Sequence, residues 1–152
     1  MSKVVLDAGV WVEYINKNGR YHAQAKTIVD RINNDAIVAA VSPITLSEIY
    51  YVSERVYKEV FGASLAKQKA EKLYNFIYYH PNTEVVSIDH KLGLRAGEIK
   101  SEYNIAISDC YSLALSEKGG VPVVFRHVEN EMMPRLKDIK KDFNIIFLEE
   151  YV

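Results

Sequence analysis

Short apolar runs alternate with longer amphipathic stretches along almost the whole chain, and this alternation limits the fold more than any other feature. The runs indicate strands over residues 4–6, 36–41, 83–86, 121–125 and 145–148. Strands that are apolar on both faces are typical of parallel sheets covered on two sides. Helical stretches between such strands therefore predict an α/β fold with a parallel sheet.

The helical stretches carry start and stop signals. We predict helices over residues 10–16, 21–33, 43–61, 64–79, 89–103, 108–117 and 132–141. Ser42 followed by Pro43 is a typical helix start, with serine as the N-cap, and Gly62 marks the end of that helix. Ser108 is predicted to cap the helix that contains Asp109. We find no repeat or linker, so residues 1–152 are interpreted as one domain.

Composition excludes several classes of protein. With 49% hydrophobic and 26% charged residues, disorder is not expected, and no stretch reaches the roughly 20 apolar residues of a membrane span. Asp7 interrupts the N-terminus too early for a signal peptide, so we expect a cytoplasmic protein. The one cysteine, Cys110, permits neither an internal disulfide nor a cysteine zinc cage and is expected to be a small buried hydrophobe.

Charge and aromatic content bear on partners. A formal net charge of −1 argues against a protein that holds nucleic acid by bulk charge alone, but not against an enzyme that touches a few phosphates. The 11 tyrosines exceed the needs of the core, so some should be exposed for stacking or for a protein interface. A homodimer is consistent with such exposed tyrosines.

Three carboxylates are candidates for a site. Asp7 follows the first strand, where α/β sheets bind ligands, although it is equally suited to cap a helix. Glu48 comes four residues after Ile44 and is therefore expected on the core-facing side of its helix; the alternative is a residue at the rim that reaches solvent. Asp109 is in the first turn of a helix, which the helix dipole alone would explain.

Three acids that converge at strand ends repel one another and remain ionised together only beside a cation. Oxygen ligands from Asp and Glu select Mg²⁺ or Mn²⁺. Such ions over a phosphodiester orient a water, lower its pKa and stabilise the leaving oxygen.

Three segments, residues 4–7, 42–51 and 107–115, resemble in order and spacing the PIN-domain family, and most of all its VapC-like toxins. The resemblance implies a three-layer αβα sandwich with four to five parallel strands and Mg²⁺- or Mn²⁺-dependent cleavage of RNA. It assigns the characteristic acids to Asp7, Glu48 and Asp109. It also implies a cognate antitoxin in a groove beside the site, and homodimers are common in the family.

The chain departs from the family pattern at two places. Ala8-Gly9 stands where many members have Thr or Ser, so a polar neighbour of Asp7 is lost. His127 stands where a fourth acid is expected. We expect Glu129, or else Glu131, to complete the site.

Two neighbouring residues are assigned to the substrate. Arg126 is a candidate phosphate contact, with an ordinary surface cation as the alternative. His127 could contact a phosphate or bind metal as a neutral imidazole.

Two other functions are compared with the nuclease. A chain without the fourth acid could be a degenerate PIN module that binds RNA or a protein partner without cleaving it. A phospho-acceptor receiver domain also places Asp at strand ends, but it normally has adjacent acids after its first strand, and Asp7 has no acidic neighbour.

Overall fold

Five parallel strands form one sheet in the order β3-β2-β1-β4-β5. The computed structural model describes residues 1–151. The strands are β1 Ser2–Leu6, β2 Ile37–Val41, β3 Thr83–Val85, β4 Val123–Phe125 and β5 Ile145–Phe147. The helices are α1 Ala8–Ile15, α2 His22–Asn33, α3 Pro43–Phe61, α4 Ala63–Tyr79, α5 His90–Tyr103, α6 Ile107–Gly119 and α7 Leu136–Asp142. The predicted α/β fold with its parallel sheet is confirmed.

Helices cover both faces of the sheet because successive strand residues point to opposite sides. Val5 packs with α5, α6 and α7, whereas Leu6 packs with α1 to α4. In β4, Val123 and Phe125 join the first group and Val124 the second. β1, β2, β4 and β5 therefore contribute to two hydrophobic cores, which explains why they read as continuous apolar runs, whereas the edge strand β3 adds only Val85 to the second core.

The start of α3 agrees with its sequence signals. The Ser42 hydroxyl accepts the backbone N–H of Thr45 at 3.1 Å, Pro43 is the first helical residue, and Gly62 ends the helix with a φ of 82°. A glycine is favoured at that backbone angle because any other L-residue would be strained there.

Two predictions of local structure are wrong. Ser108 does not cap α6; the N-cap is Ala106, and Ser108 lies inside the first turn, where its hydroxyl bonds a distant side chain. The helix predicted over residues 132–141 is divided into a 3₁₀ helix, Asn130–Arg135, and α7. Pro134 lies in the 3₁₀ helix and has no N–H to continue an α-helical ladder.

The chain order creates one crevice in the sheet. The chain runs outward from β1 to β2 and β3, and then returns to add β4 and β5 on the other side of β1. Parallel sheets bind ligands where the strand order reverses in this way, at the carboxyl ends of the strands. Asp7 directly follows β1 and Arg126 directly follows β4, so both lie at this point. None of the helices in residues 1–151 is both long and apolar enough to cross a membrane.

Candidate active site

A pocket of about 250 Å³ opens at the carboxyl ends of β1 and β4. Its described lining is mostly acidic or small: Asp7, Ala8, Gly9, Val12, Glu48, Val52, Ala106, Asp109, Arg126, Glu129 and Glu131. The structure thus brings the three predicted acids to one pocket and adds two more glutamates. The lining therefore carries five carboxylates and only one guanidinium, so the pocket is strongly acidic.

Asp7 is at the N-cap position of α1 but makes no capping hydrogen bond with its side chain. Its Oδ1 instead accepts the Ser112 hydroxyl at 2.9 Å, and the residue is 5% exposed. Burial, followed by the negative charge of Glu48, raises the pKa of Asp7 from 3.8 to about 7, while the bond from Ser112 lowers it. The first backbone N–H groups of α1, those of Ala8 and Gly9, also lower this pKa, but less than Ser112 does, so the carboxylate answers to α6 more than to the start of its own helix.

Ser112 supplies the polar neighbour that Ala8-Gly9 lacks. It belongs to a buried row of hydroxyl groups in which Ser42 donates to Thr45 at 3.2 Å and Thr45 lies 3.4 Å from Ser112. Ser112 is three residues after Asp109, so both face the pocket side of α6. That spacing was the one signal in the sequence that pointed to it, since 105 residues separate it from Asp7.

Asp109 is also only 5% exposed. Burial is the largest cause that raises its pKa from 3.8 to about 9, and the charges of Asp7, Glu48, Glu129 and Glu131 raise it further. Without a cation the group is held in its protonated form at neutral pH. The pocket is therefore arranged at a cost in free energy that a positive ion would offset.

Glu48 is half-buried at the rim of the pocket, not on the core face of α3. Ile44, on which the core-facing prediction depended, is 37% exposed, and the buried residues of α3 are Thr45, Leu46, Ile49 and Ser53. The rim alternative is therefore the right one. Ser108 holds the carboxylate by donating its hydroxyl to Glu48 Oε2 at 2.7 Å.

Glu129 and Glu131 both line the pocket, whereas His127 is not among its described lining residues. His127 Nδ1 lies 3.5 Å from Glu129 Oε1 but makes no hydrogen bond. Both glutamates raise the pKa of Asp109, and Glu129 does so more strongly than Glu131. The fourth acid therefore stays a prediction, for which the pocket offers both glutamates.

Arg126 is the only cation among the described residues that line the pocket. Its guanidinium Nη1 lies 3.5 Å from Glu13 Oε2, and Glu13 is 2% exposed. Sequence reasoning missed Glu13, although it is the one charged residue in the otherwise apolar α1 and an acid so placed is rarely buried without a partner.

Cys110 is fully buried, as predicted. Burial and the charge of Asp109 raise the pKa of its thiol to about 11, so the thiol is protonated at neutral pH and unsuited to act as a nucleophile.

The side chains that line the pocket determine whether a divalent cation would fit there. Within residues 1–151, no three His, Cys, Asp or Glu side chains are grouped closely enough to hold a metal ion as they lie. The pocket nevertheless offers oxygen donors alone, two of them fixed by Ser112 and Ser108, which is the ligand chemistry of Mg²⁺ or Mn²⁺.

Comparison with protein families gives one match: the PIN domain, over residues 4–128. A comparison with the sequences of curated proteins finds no match.

Several solved structures have the same fold at low sequence identity. VapC20 of Mycobacterium tuberculosis, described as a sarcin-ricin loop cleaving toxin, is 16% identical, with a TM-score of 0.62 over 87% of this chain and 94% of that one. VapBC2 of Rickettsia felis, bound to a promoter DNA fragment, is 17% identical, with a TM-score of 0.60 over 95% and 96%. A toxin–antitoxin complex of Klebsiella pneumoniae is 14% identical, with a TM-score of 0.58 over 95% and 97%.

Proposed function

The chain belongs to the PIN-domain family, and from that membership we propose that it is a divalent-metal-dependent endoribonuclease, the toxin of a toxin–antitoxin pair. One observation carries the proposal: five carboxylates, including the two buried ones with raised pKa, share a pocket at the point where the strand order reverses. A structural role does not require such a cluster, because it destabilises the fold unless a cation is bound.

In this proposal Asp7, Glu48 and Asp109 hold the cation, with Glu129 or Glu131 as a further ligand. When bound, Mg²⁺ or Mn²⁺ supplies positive charge and Lewis acidity against a phosphodiester. Ser112 and Ser108 fix the carboxylates of Asp7 and Glu48, so that their oxygens keep one orientation as substrate enters.

The substrate is held by contacts outside the acid cluster. Arg126 lies at the edge of the pocket, with its side chain 34% exposed, and is our candidate for contact with a phosphate of the RNA. A net charge of −1 suits an enzyme that grips few phosphates and relies on bound cations for the rest.

The proposal is tested by the dependence of RNA cleavage on metal. We expect the purified chain to cut a single-stranded oligoribonucleotide in Mn²⁺ or Mg²⁺, to stop in EDTA and to resume when excess Mn²⁺ is restored. Reversal by the added ion separates metal dependence from irreversible loss of fold. Cleavage at an equal rate in EDTA would contradict the proposal.

A second surface supports an antitoxin partner. A groove of about 760 Å³ lies between α1, α2, α3 and α4, with an apolar floor that includes Val56, Phe61 and Leu73. Its described lining contains four lysines and no acid; the lysines are Lys17, Lys26, Lys69 and Lys72. An acidic, amphipathic segment of a partner protein matches an apolar floor with a basic rim.

RNA is less suited to this groove than a protein segment. The rings of Tyr57 and Phe61 lie 6.2 Å apart, and Lys69 lies 4.3 Å from the Phe61 ring centroid. Lys69 covers one face of the Phe61 ring, and the tilted Tyr57–Phe61 pair offers no parallel faces between which a base would stack.

A non-catalytic binding module is the second candidate, and His127 at the expected position of the fourth acid favours it. The two functions differ in metal binding. A calorimetric titration that shows no Mn²⁺ uptake at millimolar concentration would support the module.

A further inference from the structure

We propose that Glu13 is a positioning residue that holds the Arg126 guanidinium away from the pocket acids and so keeps the cation site open. The inference rests on the proposed function in one respect, that a divalent cation binds these acids. It concerns a residue outside the pocket that acts through its neighbour and contacts neither substrate nor metal.

Glu13 is built into the fold by contacts on both of its oxygens. Oε1 accepts the backbone N–H of Tyr21 at 2.9 Å, and Oε2 lies 3.5 Å from Arg126 Nη1. The side chain is 3% exposed, so its charge is removed from water and needs a cation nearby. Among the described residues, Arg126 is its only salt-bridge partner.

Two glycines leave room for this pair. A Cβ on Gly9 would lie 3.1 Å from Arg126 Cβ, and the arginine side chain crosses the first turn of α1 at this point. A Cβ on Gly19 would lie 2.1 Å from Glu13 Oε1, a distance that would force the carboxylate to move. The close approach of Arg126 thus explains why a glycine, and not a larger residue, occupies position 9.

Arg126 is surrounded by carboxylates that it does not bind. Asp7, Glu48, Asp109, Glu129 and Glu131 line the same pocket, yet Glu13 is its only carboxylate partner among the described residues. Arginine pairs readily with carboxylates in a two-pronged geometry. Without Glu13, the flexible guanidinium would turn to these acids and occupy the position of the cation.

A purely structural role for Glu13 makes a different prediction. The bond to Tyr21 fixes the chain between α1 and α2, and its loss would disturb that segment whether or not Arg126 is present. The two roles are separated by a double-mutant cycle, because only the positioning role needs the arginine.

The cycle compares wild type, Glu13→Gln, Arg126→Gln and the double variant in calorimetric titrations with Mn²⁺ alone. Glutamine keeps a side-chain oxygen for the Tyr21 N–H and removes the charge. We expect Glu13→Gln to weaken Mn²⁺ binding by about tenfold, because the released Arg126 would form an ion pair with a pocket acid in competition with Mn²⁺. The double variant should return to at least the wild-type affinity. Glu117→Gln, which breaks the Arg95–Glu117 ion pair in the last turns of α6, is the matched control.

A second measurement needs no metal. In the metal-free protein, nuclear Overhauser contacts from the Arg126 δ-protons to the Gly9 α-protons are expected in wild type and lost in Glu13→Gln. Unchanged contacts, unchanged Mn²⁺ affinity in Glu13→Gln, or an equal loss in the double variant would each overturn the inference. If wild type binds no Mn²⁺, the proposed function fails, and the Overhauser contacts still decide the position of Arg126.

Discussion

At the scale of single residues, the molecule keeps two acids where water is nearly absent. Asp7 and Asp109 are each 5% exposed, and burial is the main cause of their raised pKa values. Ionising them in the folded state costs free energy that the unfolded chain does not bear. A neutral residue of similar shape would be more stable at both positions, so the fold alone gives no reason for a carboxylate there.

The raised pKa values predict how stability changes with pH when no metal is bound. In the folded state the pKa is about 7 for Asp7 and about 9 for Asp109, against 3.8 for the ordinary group. The folded state therefore binds protons more tightly than the unfolded state, and the free energy of unfolding falls as pH rises from about 4 to about 9. Thermal unfolding in EDTA across this range measures the change.

Asp109→Asn should remove much of the dependence of stability on pH. At pH 8 in EDTA we expect the variant to be more stable than wild type by at least about 1 kcal/mol, or roughly 2–4 °C in Tm. Asp138→Asn, an exposed aspartate in α7, is the control and should change little. A lower Tm for Asp109→Asn than for wild type in EDTA would contradict the account of this pocket.

At the scale of elements, two helices begin with a serine nearby, and the serines have different roles. Ser42 accepts a backbone N–H at the start of α3, whereas Ser108 lies inside α6 and donates to Glu48. The sequence predicted a cap in both places. Capping is local and follows from neighbouring residues, but the bond from Ser108 joins residues 60 positions apart and has no local signature.

Replacing each of these two serines by alanine should therefore have a different effect. Ser42→Ala should destabilise the protein by about 1 kcal/mol, the usual loss for an N-cap. Ser108→Ala should leave the free energy of unfolding within about 0.5 kcal/mol of wild type but lower the rate of RNA cleavage roughly tenfold, because Glu48 loses its fixed orientation. The two variants are compared by thermal unfolding and by cleavage in Mn²⁺. Equal losses of stability would restore Ser108 as a cap.

The secondary structure and the acids differ in how far the sequence could predict them. Period and turn signals gave all five strands and the bounds of α3, because these depend on neighbouring residues. The meeting of Asp7, Glu48 and Asp109 followed from a family pattern. Ser112 and Glu13 were missed because their partners are distant in sequence and only packing brings them together.

At the scale of the whole molecule, charge is divided between two surfaces. The acidic pocket and the lysine-rimmed groove lie on the same α1–α3 framework, while the net charge is only −1. This division suits a protein that binds cations at one surface and an acidic protein segment at the other.

Binding of a partner protein to the groove should depend on the charge of the lysines at its rim. If a short open reading frame adjoins this gene, its product should co-purify with the wild-type chain. Lys69→Glu combined with Lys72→Glu should abolish co-purification, because two positive charges at the rim become negative. The control is Lys137→Glu with Lys141→Glu, two exposed positions in the α7 region. Retention of the product by the groove variant would contradict the assignment.

In the proposed function, the buried carboxylates of Asp7 and Asp109 perform the chemistry. The most direct test of this proposal is the initial rate at which wild type and the Asp7→Asn/Asp109→Asn double variant cleave a labelled oligoribonucleotide in Mn²⁺, with circular dichroism and Tm to verify the fold. If Asp7 and Asp109 hold the cation, the double variant should fold and cleave at a rate lower by roughly a hundredfold or more. A folded double variant that cleaves at the wild-type rate would contradict the proposal.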